Sequence, residues 1–322
     1  MRIVVLGGTW FIGRAVTQHL ARQGHDILVV HRGKTEPAEL ASVRHLHVER
    51  SALPGAAGEI AAFRPEAAVD VSAGNGADAQ AALAALPDDI ALVAISSGDV
   101  YRAYEGLHTD RQTDLVPLTE TSPLRERRYV DGSDYENLEI EELYLARGGV
   151  SLRLGCVYGP YDYQRRFEFV LRRLRAGRTA IPVGSGGFLF SRVHVDDVAS
   201  AVSTVLDHPD CAGEAFNVVE RPTAPYRLFA EQILAAAGDA GAGTELVRVP
   251  DSALPPDMML TGTLSQHLLM DPGKIRSTLG WEAADPEAAL EASVRWHLTH
   301  PPKEWSRDFS ADDTALAAAS GT

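Results

Sequence analysis

The sequence predicts an α/β fold, a doubly wound parallel sheet with helices on both faces, followed by a smaller mixed C-terminal domain. Three observations carry that prediction. Near-continuous apolar runs alternate with helix-period segments through the first half of the chain, the pattern of strands buried on both faces. A glycine-rich turn, GGTWFIG at 7–13, separates the first apolar run from the first helical pattern. After Gly159-Pro160 the rhythm loosens into Arg-rich helices and Gly/Pro loops.

Taken in order, residues 3–6 form the first strand; Ile12, Val16 and Leu20 then fall on one helical face, and Gly24 stops the helix. Further strands are predicted at 27–30, 46–48, 67–71 and 90–95. A long charged helix from about 134 to 147, capped by Asp134, leads into a sixth strand at 150–157, and a late strand falls at 246–249. Residues 1–160 are expected to form the first domain, with 193–220 returning to it, and 161–322 the second. The small, polar end SADDTALAAASGT predicts a frayed tail over about 306–322.

Composition narrows the function classes. A net charge of −14 over 322 residues repels nucleic-acid phosphates, so no nucleic-acid partner is expected. Cys156 and Cys211 are the only cysteines, too few for a disulfide framework or a paired-cysteine metal site. The histidines are scattered without ligand spacing, and His45 and His47, alternating on the third strand, read as surface residues; no metal is expected. The opening apolar run is too short for a signal peptide, and no stretch approaches a membrane span, which predicts a cytoplasmic protein with no membrane partner. Basic charge is almost all arginine, the only lysines being Lys34, Lys274 and Lys303.

A strand, a glycine turn and a helix present free backbone N–H groups and the positive end of a helix dipole to a pyrophosphate. Gly7, Gly8 and Gly13 fit that geometry, with Thr9, Trp10, Phe11 and Ile12 between them. Further along come DVSAG at 70–74, ISSGDVY at 95–101, Tyr135, RLGCVYGP at 153–160 and RVHVDDVA at 192–199. In these motifs, and in their order over nearly its whole length, the chain resembles the extended branch of the short-chain dehydrogenase/reductase superfamily, the NAD(P)-dependent epimerase/dehydratase family.

The resemblance implies a Rossmann-like first domain that binds a dinucleotide and a second domain that holds a small-molecule substrate. Trp10 stands where the family has the middle glycine of its loop. NAD-specific members place an acid at the end of the second strand, whereas this chain has His31 and Arg32 there with Lys34 close by, so NADP is preferred to NAD. Glu49 resembles the acid that contacts the adenine amino group.

The family's working set is a Ser or Thr after the fifth strand, a Tyr, and a Lys four residues further along the Tyr helix. Ser97 and Tyr135 match the first two, but Glu139 stands in the lysine's place. A carboxylate there reverses the local field and raises the phenol's pKa; Lys274 could restore a cation only if the second domain brought it into the cleft. Glu139 is either a site residue or one more acid on a face with Glu136, Glu141 and Glu142. Asp99, two residues after Ser97, matches the acid of family dehydratases or is a turn residue.

On the substrate side, relatives acting on nucleotide sugars carry an Arg where this chain has Phe190, with Arg192 two residues on. His194, Asp196 and Asp197 are expected to start a helix, and Arg165, Arg166, Arg172 and Arg173 either to coat one or to face an anionic substrate. The resemblance implies an epimerase/dehydratase/reductase-type enzyme acting at a hydroxyl or carbonyl carbon of a small polar, sugar-like molecule. Two alternatives stand beside it: a non-redox lyase, isomerase or cyclase with Glu139 or Asp99 as base, and a non-catalytic binding protein on the same fold. Family members often dimerise through two long helices that include the Tyr helix; the acids on that helix here leave the oligomeric state open, with a homodimer as one option.

Overall fold

The computed structural model describes residues 1–126 and 135–319. Its first elements are β1 (Arg2–Leu6), α1 (Phe11–Arg22), β2 (Asp26–His31), β3 (Arg44–His47), α2 (Ala57–Ala62), β4 (Ala67–Asp70), α3 (Gly76–Ala85), β5 (Ala91–Ser97) and α4 (Arg102–His108). There follow α5 (Asn137–Ala146), β6 (Val150–Leu154), β7 (Cys156–Tyr158), α6 (Glu168–Arg175), β8 (Ala180–Val183), β9 (Arg192–His194), α7 (Val195–Leu206) and β10 (Ala215–Val218). The last are α8 (Tyr226–Ala236), β11 (Glu245–Arg248), α9 (Gly273–Leu279), α10 (Pro286–Thr299) and α11 (Ser310–Ala319).

Seven strands form one parallel sheet in the order β10-β6-β5-β4-β1-β2-β3. The chain runs outward from β1 to β3 and then resumes on the other side at β4. Strand order therefore reverses between β1 and β4, and the crevice beyond their carboxyl ends is where such sheets bind ligands. The apolar runs do what two covered faces require. Along β1, Ile3 and Val5 enter one cluster with α1 and α7, while Val4 and Leu6 enter another with α2, α3 and α5. All four are at most 1% exposed, and burying each such side chain contributes about 1.5–3 kcal/mol. A third cluster joins α6, α8, α10 and α11 to β8 beside the sheet.

Three expectations are corrected here. The charged helix starts at Asn137, not near 134: the Glu136 carboxylate accepts the Leu138 N–H at 3.0 Å as a cap, leaving Tyr135 ahead of the helix. Asp134, expected as the cap, lies outside the described residues. The sixth strand divides at Gly155, where β7 leaves the main sheet to pair with β9; a Cβ at Gly155 would come within 2.6 Å of the Ser191 carbonyl oxygen. The frayed tail is, over Ser310–Ala319, the helix α11. A buried ion pair between Asp312 and Arg173 of α6, with 2.6 and 2.8 Å contacts, holds it in place.

Candidate active site

The glycine turn follows β1, and its geometry leaves no room for side chains. Gly7 has φ +83°, and a Cβ there would lie 2.4 Å from Ser72 Cβ at the end of β4. A Cβ on Gly13 would come within 2.1 Å of the Gly7 carbonyl oxygen, so α1 packs directly on the turn. Trp10 needs no such freedom. Its φ of −130° is ordinary for any residue, and the indole is 53% exposed, standing outward at the rim. The strained residue is its neighbour Phe11, at φ +38°, whose buried ring packs edge-on against Tyr163 with centroids 6.1 Å apart.

A cleft of about 680 Å³ opens at the reversal point. Gly7, Thr9, Trp10, His31, Arg32 and Glu49 line it, as six of the ten residues assigned to cofactor binding, and Lys34 joins them. Gly8, Phe11, Ile12 and Gly13 do not line it; they shape the turn from behind. Arg50, Ser72 and Asp78, which sequence reasoning passed over, complete the wall. Arg50 is fixed by Asp70, bonding one carboxylate oxygen at 2.9 Å and closing on the other, and it reaches Ser72 Oγ at 3.1 Å. Tyr144 donates to the same buried carboxylate. Ser72 was legible as part of DVSAG; Arg50 carried no signal beyond its place after Glu49.

At the end of β5, Ser97 accepts the Asp99 N–H at 3.2 Å as a short 3-10 turn begins. Asp99 is buried, and both carboxylate oxygens accept from Asn137 Nδ2, at 3.0 and 3.1 Å. Burial pushes its carboxyl up to about 6, against the opposing pull of Asn137 and Arg125. Arg125 donates to the Asp99 carbonyl oxygen and to both Glu136 oxygens, at 3.2 and 2.8 Å, which ties the acid to the start of α5.

Glu139 is elsewhere. Its Oε2 accepts the Gly76 N–H at 2.9 Å, at the amino end of α3. Two residues along a helix turn the side chain by about 200°, so while Asn137 faces Asp99, Glu139 faces α3. Tyr135 is about half exposed. Of the four proposed working residues, the structure thus joins Ser97 and Asp99 and adds Asn137, which sequence reasoning missed because it placed the helix start three residues early. Lys274 supplies no cation here; it bonds Glu214 and the Ala215 carbonyl beside β10.

The arginines do not simply coat a helix. Arg173 is buried between Asp312 and Asp257, whereas Arg165, Arg166 and Arg172 line a cleft of about 830 Å³ with Cys156, Phe169, Phe190 and Tyr226. Arg192 is buried under the Phe229 ring. His194 caps α7, its Nδ1 accepting the Asp196 N–H, and the Asp197 carboxylate accepts the Ala284 N–H. His47 is exposed and His45 half-buried, as expected near the surface, and both gather with His31 and Glu36 at the sheet edge.

The model of the NAD dependent epimerase/dehydratase family matches residues 3–218. The chain belongs to that family. Its seven-stranded parallel sheet is the Rossmann-like fold of that family. Among curated relatives, the chloroplast stem-loop binding protein of 41 kDa b of Arabidopsis thaliana is 27% identical over 233 residues, 67% of this chain and 58% of that protein. The chain therefore spans just over half the length of that relative. The 2'-dehydrokanamycin reductase of Streptomyces kanamyceticus is 25% identical over 74% of this chain and 67% of its own length.

Solved structures share the fold. UDP-glucose 4-epimerase of Thermotoga maritima with UDP-glucose aligns at TM-score 0.72 and 19% identity, over 94% of this chain and all of that one. The dTDP-glucose 4,6-dehydratase of Bacillus anthracis in complex with NAD aligns at TM-score 0.72 and 18% identity, over 94% of this chain and 97% of that one. Among the described residues no helix is long and apolar enough to cross a membrane.

Proposed function

We propose that this enzyme uses NADP(H) to reduce a carbonyl, or oxidise a hydroxyl, on a small polar substrate, with Asp99 and Ser97 handling the proton and the oxygen. The observation that carries the reading is the buried Asp99 carboxyl beside Ser97 at the carboxyl edge of β5, two strands from the glycine turn. The turn suits a dinucleotide pyrophosphate: Gly7 backbone lines the cleft ahead of α1, and Arg32, Lys34 and Arg50 line the same cleft. A nicotinamide bound there would supply or accept the hydride.

The chain's own residues do the rest. The Ser97 hydroxyl can donate to a substrate oxygen while its lone pair holds the Asp99 N–H. An acid held near pH 6 by burial exchanges its proton readily at neutral pH. Arg165 and Arg166 in the second cleft suit a substrate carrying an anionic group, with Phe190 and Tyr226 against its apolar part, while Arg172 is already paired with Asp257. Glu139, engaged with α3, is left out of the proton path.

A second reading, proton abstraction by Asp99 with no net redox step, draws on the position of Tyr135 ahead of α5, outside the Tyr-helix arrangement. Net charge −14 argues against a stem-loop ligand of the kind that the Arabidopsis relative is named for. Titrating purified protein with NADPH and following nicotinamide fluorescence tests the first reading: saturable enhancement is expected, and none at millimolar cofactor rejects it. Cofactor binding without NADPH consumption across a carbonyl panel would move the assignment to the second.

A further inference from the structure

We propose that His31, Glu36, His45 and His47 form a binding site for a zinc-class divalent transition-metal ion. This reverses the sequence-based expectation of no metal site, and it stands independently of the cofactor reading. In the parallel register of β2 and β3, His31 lies opposite His47, and His45 shares the same face two residues earlier on that edge strand. The turn after β2 then brings Glu36 over the three rings, so that one ligand atom from each residue lies within 4.8 Å of the others.

Tetrahedral zinc, with bonds of about 2.0–2.1 Å, sets its donor atoms roughly 3.4 Å apart. Here His31 Nε2 is 2.9 Å from His45 Nδ1 and 3.8 Å from Glu36 Oε1, and Glu36 closes directly on His47 Nε2. Side-chain adjustments on the order of 1 Å bring such a set, spanning up to 4.8 Å, to tetrahedral spacing. His45 is already oriented: its Nε2 donates to the Leu40 carbonyl at 2.9 Å, leaving the Nδ1 lone pair turned inward. Three imidazole nitrogens and one carboxylate oxygen suit zinc, nickel or copper and not magnesium or calcium, which take oxygen donors.

Without the ion, the His31 proton sits on Nε2 and is shared with His45, while Nδ1 accepts the Gly33 N–H at 3.2 Å. Binding moves that proton to Nδ1 and turns the Gly33 peptide aside, a rearrangement open to an exposed glycine at φ +73°. His31 and Glu36 bracket Arg32 and Lys34 in the chain, so a bound ion would pin the turn that carries both cations.

The test uses untagged protein, freed of metal by a chelator and titrated with zinc chloride by calorimetry. One ion per chain at low-micromolar affinity or tighter is expected, and cobalt(II) in its place should show the intense visible absorption of a four-coordinate ion. His47→Ala and Glu36→Gln alter exposed side chains and should fold normally. Each should weaken zinc binding by more than the 10–100-fold that losing an outer partner costs. Substoichiometric binding, a weak six-coordinate cobalt spectrum, or unchanged affinity in both variants overturns the site.

Discussion

Glu139 Oε2 and the Gly76 N–H meet at 2.9 Å, joining the first turn of α5 to the first turn of α3. A carboxylate at a helix amino terminus satisfies an unpaired N–H and favours the dipole. Glu139 therefore works in the fold. Glu139→Ala should cost about 0.5–2 kcal/mol, the usual worth of such a cap. Urea denaturation would show this, while NADPH affinity stays within about twofold of the parent. A Glu139→Ala protein that keeps its stability but loses turnover would return the carboxylate to the chemistry.

Much of the fold was legible because its cause is local. A strand covered on both faces must be apolar at every position, as β1 is, and a turn that packs against β4 must be glycine, as Gly7 is. What escaped depended on where elements begin and on which strands lie side by side. Placing the α5 start three residues early put Tyr135 on the helix. His31 is 14 residues from His45 in sequence and 2.9 Å away in space; only the β2–β3 register joins them. The polar tail was misjudged because Arg173, its partner, lies far back in the chain.

Asp99 should give stability and activity a shared acidic signature. Its carboxyl is raised to about 6 from an ordinary 3.8, so between those values the folded chain holds a proton that the unfolded chain releases. Stability from this group is thus complete below about pH 4 and lost as pH rises through 6. The loss is on the order of 2–3 kcal/mol. Glu220, raised by burial to about 7, extends the slope upward. Asp99→Asn should flatten the lower part of the stability–pH curve and match or exceed the parent's stability at pH 8. In the parent, turnover should inflect near pH 6, and in the variant it should fall by at least about 100-fold.

The Arg173–Asp312 pair makes α11 part of the folded unit. Both side chains are buried, and removing one partner of such a pair leaves a charge without compensation. Asp312→Ala should cost about 3 kcal/mol, near the low end for buried pairs because Asp257 still holds part of the guanidinium. Deleting residues 310–322 should cost at least as much. Chemical denaturation of the two proteins checks this, and a midpoint unchanged in both would mean the helix docks without supporting the core.

The proposed preference for NADP rests on Arg32 and Lys34, both exposed on the turn after β2 and both lining the 680 Å³ cleft. A 2′-phosphate on the adenosine ribose would meet them as charge-assisted hydrogen bonds, worth about 1.5–3 kcal/mol each. Arg32→Ala and Lys34→Ala should each weaken NADPH binding by about 10- to 100-fold and leave NADH within about twofold. Raising salt should narrow the parent's preference for NADPH, since exposed charges are screened beyond about 10 Å at 0.1 M ionic strength. Fluorescence titration with both cofactors at two salt concentrations reads all of these. Equal losses for NADPH and NADH would place the two cations at the pyrophosphate, and NADH binding tighter than NADPH in the parent would reverse the assignment.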